Sequence, residues 1–398
     1  MRAAAMLDFP LEEYRERLRK LMEEMARAGV DGAMITQHEN LRYFTGLRSS
    51  DWGVKDANPG VLFVAADGRM AMVGAESALP AMADTCCLDA EQLFGFDPDA
   101  PGDSPCAEAL WAAMRRLGLH RARLGVESGM VARLMLRYRD FGALRARAGE
   151  DVAWVPFAQH IWNLRAIKSP REIEIYRKLC DISGKCFQKA FDSVVLDRTT
   201  ERELYQIFAE EAFRLGADGM PPLIVEFGRG RYTQANCPPS DKVITSKAHE
   251  FLFIDTGPAL KGYITDTIRM GVVGGMNPRQ RELRAMADEA LDFCLARIRD
   301  GVPCYEISAQ MDAMIARRGF EPWNQTKGWT GHSVGLEVHE PPTLSCDCDM
   351  MIRSNMILSV EPLMMDPENG MIATEHNILV TDDGYENLTP WLSDMVIL

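Results

Sequence analysis

The chain has 398 residues, 47% of them hydrophobic, enough for two domains with sizeable cores. Its formal net charge of −14 repels phosphate backbones and anionic membrane surfaces, so neither nucleic acid nor a membrane is an expected partner. No stretch approaches the roughly 18 apolar residues of a membrane span. The N-terminus MRAAAMLDFPLEEY does not read as a secretory signal, and ten cysteines without a paired spacing read as reduced thiols, so the expected location is cytoplasmic.

From the N-terminus, Leu11 to Arg27 has amphipathic-helix spacing, with Leu11, Tyr14, Leu18, Leu21, Met22 and Met25 on one face and Gly29 as the stop. Strands are predicted at Gly32 to Thr36, at GVLFVA and at MAMVG, with NLRYFTG between the first two. A helix around Ala107 to Leu117, the strand RLGVE and a short strand VAWVP near Trp154 continue the alternation, which predicts a separate α/β domain over residues 1–160. Ser169-Pro170 with Glu172 forms a capping box that opens a second domain, residues 161–398, on a helix running to about Phe191. Asn277-Pro278 starts another helix, which Gly301 is expected to close.

The second domain carries the chemistry. Asp255 ends the apolar run FLFID, a turn-rich TGPALKG follows, and YITDTIRMGV returns with Asp266 in it. This reads as a hairpin in which the two carboxylates meet across the ladder, where facing positions lie roughly 4.5–5.5 Å apart. His332 lies in GHSVGLEVHEPP, whose glycines permit close backbone approach; Glu361 ends MILSVE before Pro362; Glu375 precedes the strand ILVT. A single acid in an apolar strand is costly unless it is paired or bound to metal. One histidine with four carboxylates is an oxygen-rich donor set suited to manganese, iron(II), cobalt or zinc rather than to a thiolate-seeking metal.

The stretches LRAIKSPREIEIYRK, IDTG with GYITDTIR, TGHSVGLEVHEPP, ILSVEP and EHNILVTDDGYENLT, in this order, resemble the pita-bread metallohydrolase family, which includes methionine aminopeptidase, aminopeptidase P, prolidase and creatinase. The first part of the chain is similar to the amino-terminal α/β domain that aminopeptidase P, prolidase and creatinase share, with NLRYFTG as its best local match. The resemblance implies a creatinase-type α/β domain followed by an α+β pita-bread catalytic domain, and the paired use of two divalent metal ions, manganese first among the candidates. It also implies a homodimer. Carried over by position, Asp255 chelates one metal, Asp266 and Glu375 bridge both, and His332 and Glu361 hold the second. Glu361 is then the general base, and His339 faces the substrate to steady the oxyanion or leaving group. The implied activity is Xaa-Pro dipeptidase or aminopeptidase P-like cleavage of an amide bond in a small peptide.

Two positions depart from the family pattern. Where peptide-cleaving relatives keep a further histidine before the first aspartate, this chain has Asn236 or Cys237, and Ala373 replaces an arginine two residues before the last glutamate. Asn236 can donate a hydrogen bond but cannot shuttle a proton. His376, directly after Glu375, is similar to the matching segment of creatinase. These departures keep a second reading open, a hydrolase or lyase of a small non-peptide compound such as creatine, ectoine or dimethylsulfoniopropionate. A third is a non-catalytic binding protein that keeps the fold. Further substrate-contact candidates are Asp51, Trp52 and Lys55 after NLRYFTG, and Arg229 and Arg231 in FGRGRYTQ, which suit a carboxylate; His249 reads as exposed. Asn236→His is expected to raise kcat/KM on Xaa-Pro dipeptides; an unchanged value would place the exclusion of peptides in the pocket as a whole.

Overall fold

The structure is a computed structural model and describes residues 1–4, 6–49, 60–129, 131–221, 224–228, 238–321 and 328–398. Asp51, Trp52, Lys55, Arg229, Arg231, Asn236 and Cys237 lie outside the described residues. The chain divides into two compact units, Met1–Arg165 and Ala166–Leu398.

The first unit runs α1 (Leu11–Ala28), β1 (Gly32–Ile35), α2 (His38–Thr45), β2 (Val61–Ala65), β3 (Met70–Ala75), α3 (Leu79–Thr85), β4 (Leu93–Phe96), α4 (Pro105–Leu117), β5 (Ala122–Val126), α5 (Tyr138–Ala148), β6 (Val152–Pro156) and α6 (Ala158–Ala166). Its strands form one mixed sheet in the order β4-β3-β2-β1-β5-β6. Residues such as Met34, Phe63 and Leu124 pack against Leu110 and Met114 of α4. NLRYFTG lies largely within α2, a helix its spacing had not indicated. The buried face of α1 is also rotated from the expected one. Glu13, Arg17 and Glu24 are buried, while Leu11, Leu18 and Met22 are only half-buried. Arg17 causes this: its guanidinium lies 4.1 Å from the Tyr43 ring centroid and 4.7 Å from that of Phe9, and donates to the Tyr43 carbonyl.

The second unit opens with α7 (Pro170–Asp192), whose Ser169–Glu172 capping box forms as the sequence indicates, and α8 (Glu201–Arg214). Then come β7 (Ile224–Phe227), β8 (Phe251–Thr256), β9 (Ala259–Leu260), β10 (Tyr263–Ile264), β11 (Thr267–Val272), α9 (Pro278–Leu295) and α10 (Cys304–Arg317). Last are β12 (Trp329–Ser333), β13 (Glu340–Ser345), β14 (Ile357–Val360), β15 (Leu363–Asp366), β16 (Gly370–Ala373), β17 (His376–Val380), β18 (Tyr385–Asn387) and β19 (Val396–Ile397). The helix begun at Asn277 stops at Leu295, before Gly301, and α10 follows as a separate helix. Gly301 instead takes a left-handed turn that leads into α10.

Two sheets dominate, β19-β11-β8-β7 and β13-β12-β14-β17-β18. Strand β8 separates two cores by its period of two. Phe251 and Phe253 pack with α9, α10 and the five-stranded sheet, whereas Leu252 and Ile254 pack with α7 and α8. On β11, Ile268, Met270 and Val272 join the first of these cores, as do Leu358 and Val360 of β14 and Ile378 and Val380 of β17. Leu358 is fully buried there. Leu358→Ala is expected to cost about 2–5 kcal/mol through lost contact and a cavity, and Ser169→Ala about 1 kcal/mol through the lost cap. Urea unfolding midpoints of the two variants check both values and their order.

Candidate metal centre

The same strand period brings the acids together. Asp255 has the parity of Phe251 and Phe253, and Asp266 that of Ile268 and Met270, so each extends an apolar stripe on the face those residues share. The two aspartates do not face each other across the ladder as expected. In register, Asp255 opposes Ile268, and Asp266 lies just outside β11, diagonal to it, because β9 and β10 form a small hairpin of their own in the connection. A diagonal pair still lets side chains reach. Asp255, Asp266 and Glu375 each offer a carboxylate oxygen within 4.8 Å of the others, and Asp266, His332 and His339 form a second group by the same measure. Asp266 belongs to both.

His332 lies on β12 opposite Ser359 of β14. The close approach rests on Gly331: a Cβ there would sit 2.0 Å from the Ser359 carbonyl oxygen. The His332 ring is fully buried, and its Nδ1 lies 3.0 Å from the Ser333 carbonyl, which can only accept. This pins Nδ1 as the protonated nitrogen and turns Nε2 toward Glu361 Oε1 at 3.0 Å and Asp266 Oδ2 at 3.4 Å, without the alignment of a hydrogen bond. Glu375 accepts from the Ile268 N–H and from the Ser359 hydroxyl. The backbone of Asp266 is clamped by Asn377, whose side-chain amide donates to the Asp266 carbonyl while its oxygen accepts from the Asp266 N–H at 3.3 Å.

Burial and the neighbouring carboxylates push Asp255 and Glu375 well above the usual carboxylate range, and burial raises Glu361 as well. Burial works the same way on Asp266, but the adjoining His332 ring outweighs it and holds Asp266 below its ordinary value. Against the penalty of its own burial, Asp266 and Glu361 lift His332 to about 10. Acids pushed up by burial and by one another, around an imidazole that the same acids push up, make a site short of positive charge. A cation would relieve that shortage, and Nε2 of the neutral ring would be open to it.

A cleft of about 640 Å³ opens beside these groups, lined by Asp255, Asp266 and His339 together with Tyr205, Ile224, Pro239 and Val338. Residues 174–382 match the model of Metallopeptidase family M24, and residues 17–167 match the Creatinase/Prolidase N-terminal domain. The chain belongs to metallopeptidase family M24. Among its relatives, the uncharacterized peptidase YqhT of Bacillus subtilis is 26% identical over 96% of this chain and 100% of its own. An Xaa-Pro dipeptidase of Pyrococcus horikoshii is 30% identical over 58% of this chain and 64% of its own. In fold, the chain is similar to a solved dipeptidase from Pyrococcus horikoshii (TM-score 0.81, 23% identity, 96% of this chain and 100% of that one) and to an Xaa-Pro dipeptidase from Bacillus anthracis (TM-score 0.79, 23% identity, 97% and 100%). The two-domain creatinase-type and pita-bread architecture is therefore the fold of this metallopeptidase, and its activity is that of a metal-dependent peptidase hydrolase.

Other expected residues of the metallopeptidase fall elsewhere. His376 does not line the cleft: its ring is buried with Nδ1 3.0 Å from the Thr389 carbonyl, and burial next to Arg269 lowers it to about 4. His249 is half-buried rather than exposed, with Nδ1 2.7 Å from the Gly275 carbonyl. Ala373 is packed in the core of β16 beside Met270, so the space of the family's arginine is apolar. Sequence reasoning passed over Ser359, Asn377 and Arg269. Arg269 is buried, donates to the Glu375, Thr389 and Trp391 carbonyls and stacks 4.5 Å from the Trp391 ring. Its position inside the apolar TIRMGV was the available signal, since a buried guanidinium needs several acceptors.

The raised values of His332, Asp255, Glu361 and Glu375 all favour the protonated folded state. For His332 the contribution is complete below pH 6.5 and lost as pH rises through about 10. Chelator-treated protein is thus expected to lose stability between pH 6.5 and 10, and added divalent metal to flatten that slope by replacing protons. Urea midpoints across this range, with and without metal, test both.

Proposed function

We propose that this chain is a dinuclear metallopeptidase directed at Xaa-Pro bonds in small peptides. The observation that carries the reading is the His332 ring, with Nδ1 held by a carbonyl and Nε2 turned without a hydrogen bond into a ring of buried carboxylates. In this reading Asp255 would hold one divalent ion, Asp266 and Glu375 would be shared between two, and His332 and Glu361 would hold the other. The membership of Asp266 in both close groups supports its bridging role. Ions there supply Lewis acidity, lowering the pKa of an attacking water and polarising the scissile carbonyl.

The rest of the work falls to the chain. Glu361 takes the proton of the attacking water on a carboxylate oxygen as the C–O bond forms, and returns it to the leaving nitrogen as the C–N bond breaks, giving a carboxylate and a secondary amine. His339 lies at the cleft edge, with its ring 4.3 Å from that of His332; burial and the adjacent His332 keep it below its ordinary value, so it is a neutral donor near pH 7. Its N–H steadies the oxyanion or the leaving group. The apolar part of the cleft, with Tyr205, Ile224 and Pro239, suits a prolyl ring, and the relatives named as Xaa-Pro dipeptidases point to the same substrate class.

Manganese is the metal we assign first, on the oxygen-rich donor set. A cytoplasmic homodimer with domains at 1–160 and 161–398 completes the proposal. The location accords with the nine described cysteines, all free, and among the described residues no helix is long and apolar enough to cross a membrane.

Manganese-loaded protein is expected to hydrolyse Xaa-Pro dipeptides or tripeptides and to leave creatine, ectoine and dimethylsulfoniopropionate intact; turnover of a non-peptide alone overturns the proposal. Asp266→Asn and Glu375→Gln are each expected to lower kcat/KM by about 10³-fold or more, the scale of losing a principal electrostatic stabiliser. Metal content of the same preparations separates a lost bridge from a lost fold.

A further inference from the structure

A buried charge outside the candidate ligand set lies behind its histidines. The Lys168 side chain, two residues before the α7 helix, is fully buried, and its backbone N–H donates to the Asn355 carbonyl at 2.9 Å. Its Nζ donates to Ser333 Oγ at 3.0 Å and lies 3.8 Å from Oε2 of Glu340, which is equally buried. Ser333 directly follows His332, and Glu340 directly follows His339. We propose that Lys168 is a positioning residue of the metal centre, which sets the directions of His332 and His339 through Ser333 and Glu340. The inference rests on the proposed metal-centre reading.

The geometry makes each link specific. Because Ser333 Oγ accepts from Lys168, its own hydrogen goes to the Ile357 carbonyl at 3.2 Å, which fixes the residue whose carbonyl pins His332 Nδ1. Glu340 takes the Glu337 N–H on Oε1 at 3.1 Å, and a Cβ on Gly335 would come within 2.2 Å of that oxygen, so the connection between β12 and β13 folds tightly over the carboxylate. The Gly335 carbonyl in turn accepts from Ile264, two residues before Asp266. One ammonium thus ties both ends of the segment carrying the two histidines. Burying an ion pair is a poor way to gain stability, since apolar side chains of the same volume do as well. Fixed direction is what the charged pair adds, as partners behind metal ligands commonly do.

Lys168→Met alone takes the ammonium away from the buried Glu340 carboxylate, so the informative variant is Lys168→Met with Glu340→Gln, which removes both charges and keeps the volumes. It is expected to unfold cooperatively on heating, to bind Mn²⁺ about 10–100-fold more weakly by calorimetry, and to lose kcat on an Xaa-Pro dipeptide with KM little changed. Ser333→Ala, which keeps the ion pair, is expected to weaken Mn²⁺ binding in the same direction while still unfolding cooperatively on heating, and it decides the matter if the double variant does not fold. Unaltered Mn²⁺ affinity in the folded variants overturns the inference. Asp266→Asn is the control: if it binds Mn²⁺ as well as the unaltered chain does, the metal-centre reading has failed, and not the role of Lys168.

Discussion

Four carboxylates buried beside one imidazole repel each other, and much of the catalytic unit is arranged around that repulsion. The acids sit where apolar strands end, and Asp255 and Asp266 border a cleft while Glu361 and Glu375 are buried behind them. Each is held by groups that cannot move independently. Glu375 takes a ladder N–H of Ile268 and the Ser359 hydroxyl, Asp266 is clamped through its backbone by Asn377, and Arg269 places a buried positive charge on the Glu375 carbonyl. None of these contacts neutralises the acids. They hold the crowd in place for a cation.

A buried acid in the first unit shows what a purely structural solution looks like. Glu127 is also fully buried, with its carboxyl pushed up by burial, yet it accepts from the Thr36 N–H and hydroxyl, the Gln37 N–H and the Asn40 amide, and so holds the start of α2. Its lone pairs are spent on neutral donors. Glu361 instead meets the His332 nitrogen at 3.0 Å without hydrogen-bond alignment. The difference between a satisfied acid and a waiting one separates architecture from chemistry in this chain.

Much of this was legible beforehand where the signal was local. The Ser169–Glu172 cap, the strands that end in Asp255 and Glu361, and the glycines around His332 are written in adjacent residues. The failures come from contacts that no run of adjacent residues displays. Arg17 turned the buried face of α1 because Tyr43 and Phe9 lie within reach of its guanidinium. His376 left the cleft for the Thr389 carbonyl. Asp255 and Asp266 met diagonally because the β9 and β10 hairpin lies between their strands.

By itself the sequence indicated the candidate ligands and their order, and the family they resemble, since an acid at the end of an apolar strand is conspicuous wherever the strand goes. Only the tertiary structure decided which oxygens share a centre, which histidine nitrogen stays free, and that Lys168 stands behind both histidines. Those facts depend on strand register, on the local backbone direction at Ser333 and on contacts between residues more than 100 positions apart, such as Asp266 with Asn377 and Lys168 with Ser333. No local pattern of residues encodes such distances, because register is set by how whole strands pair and pack.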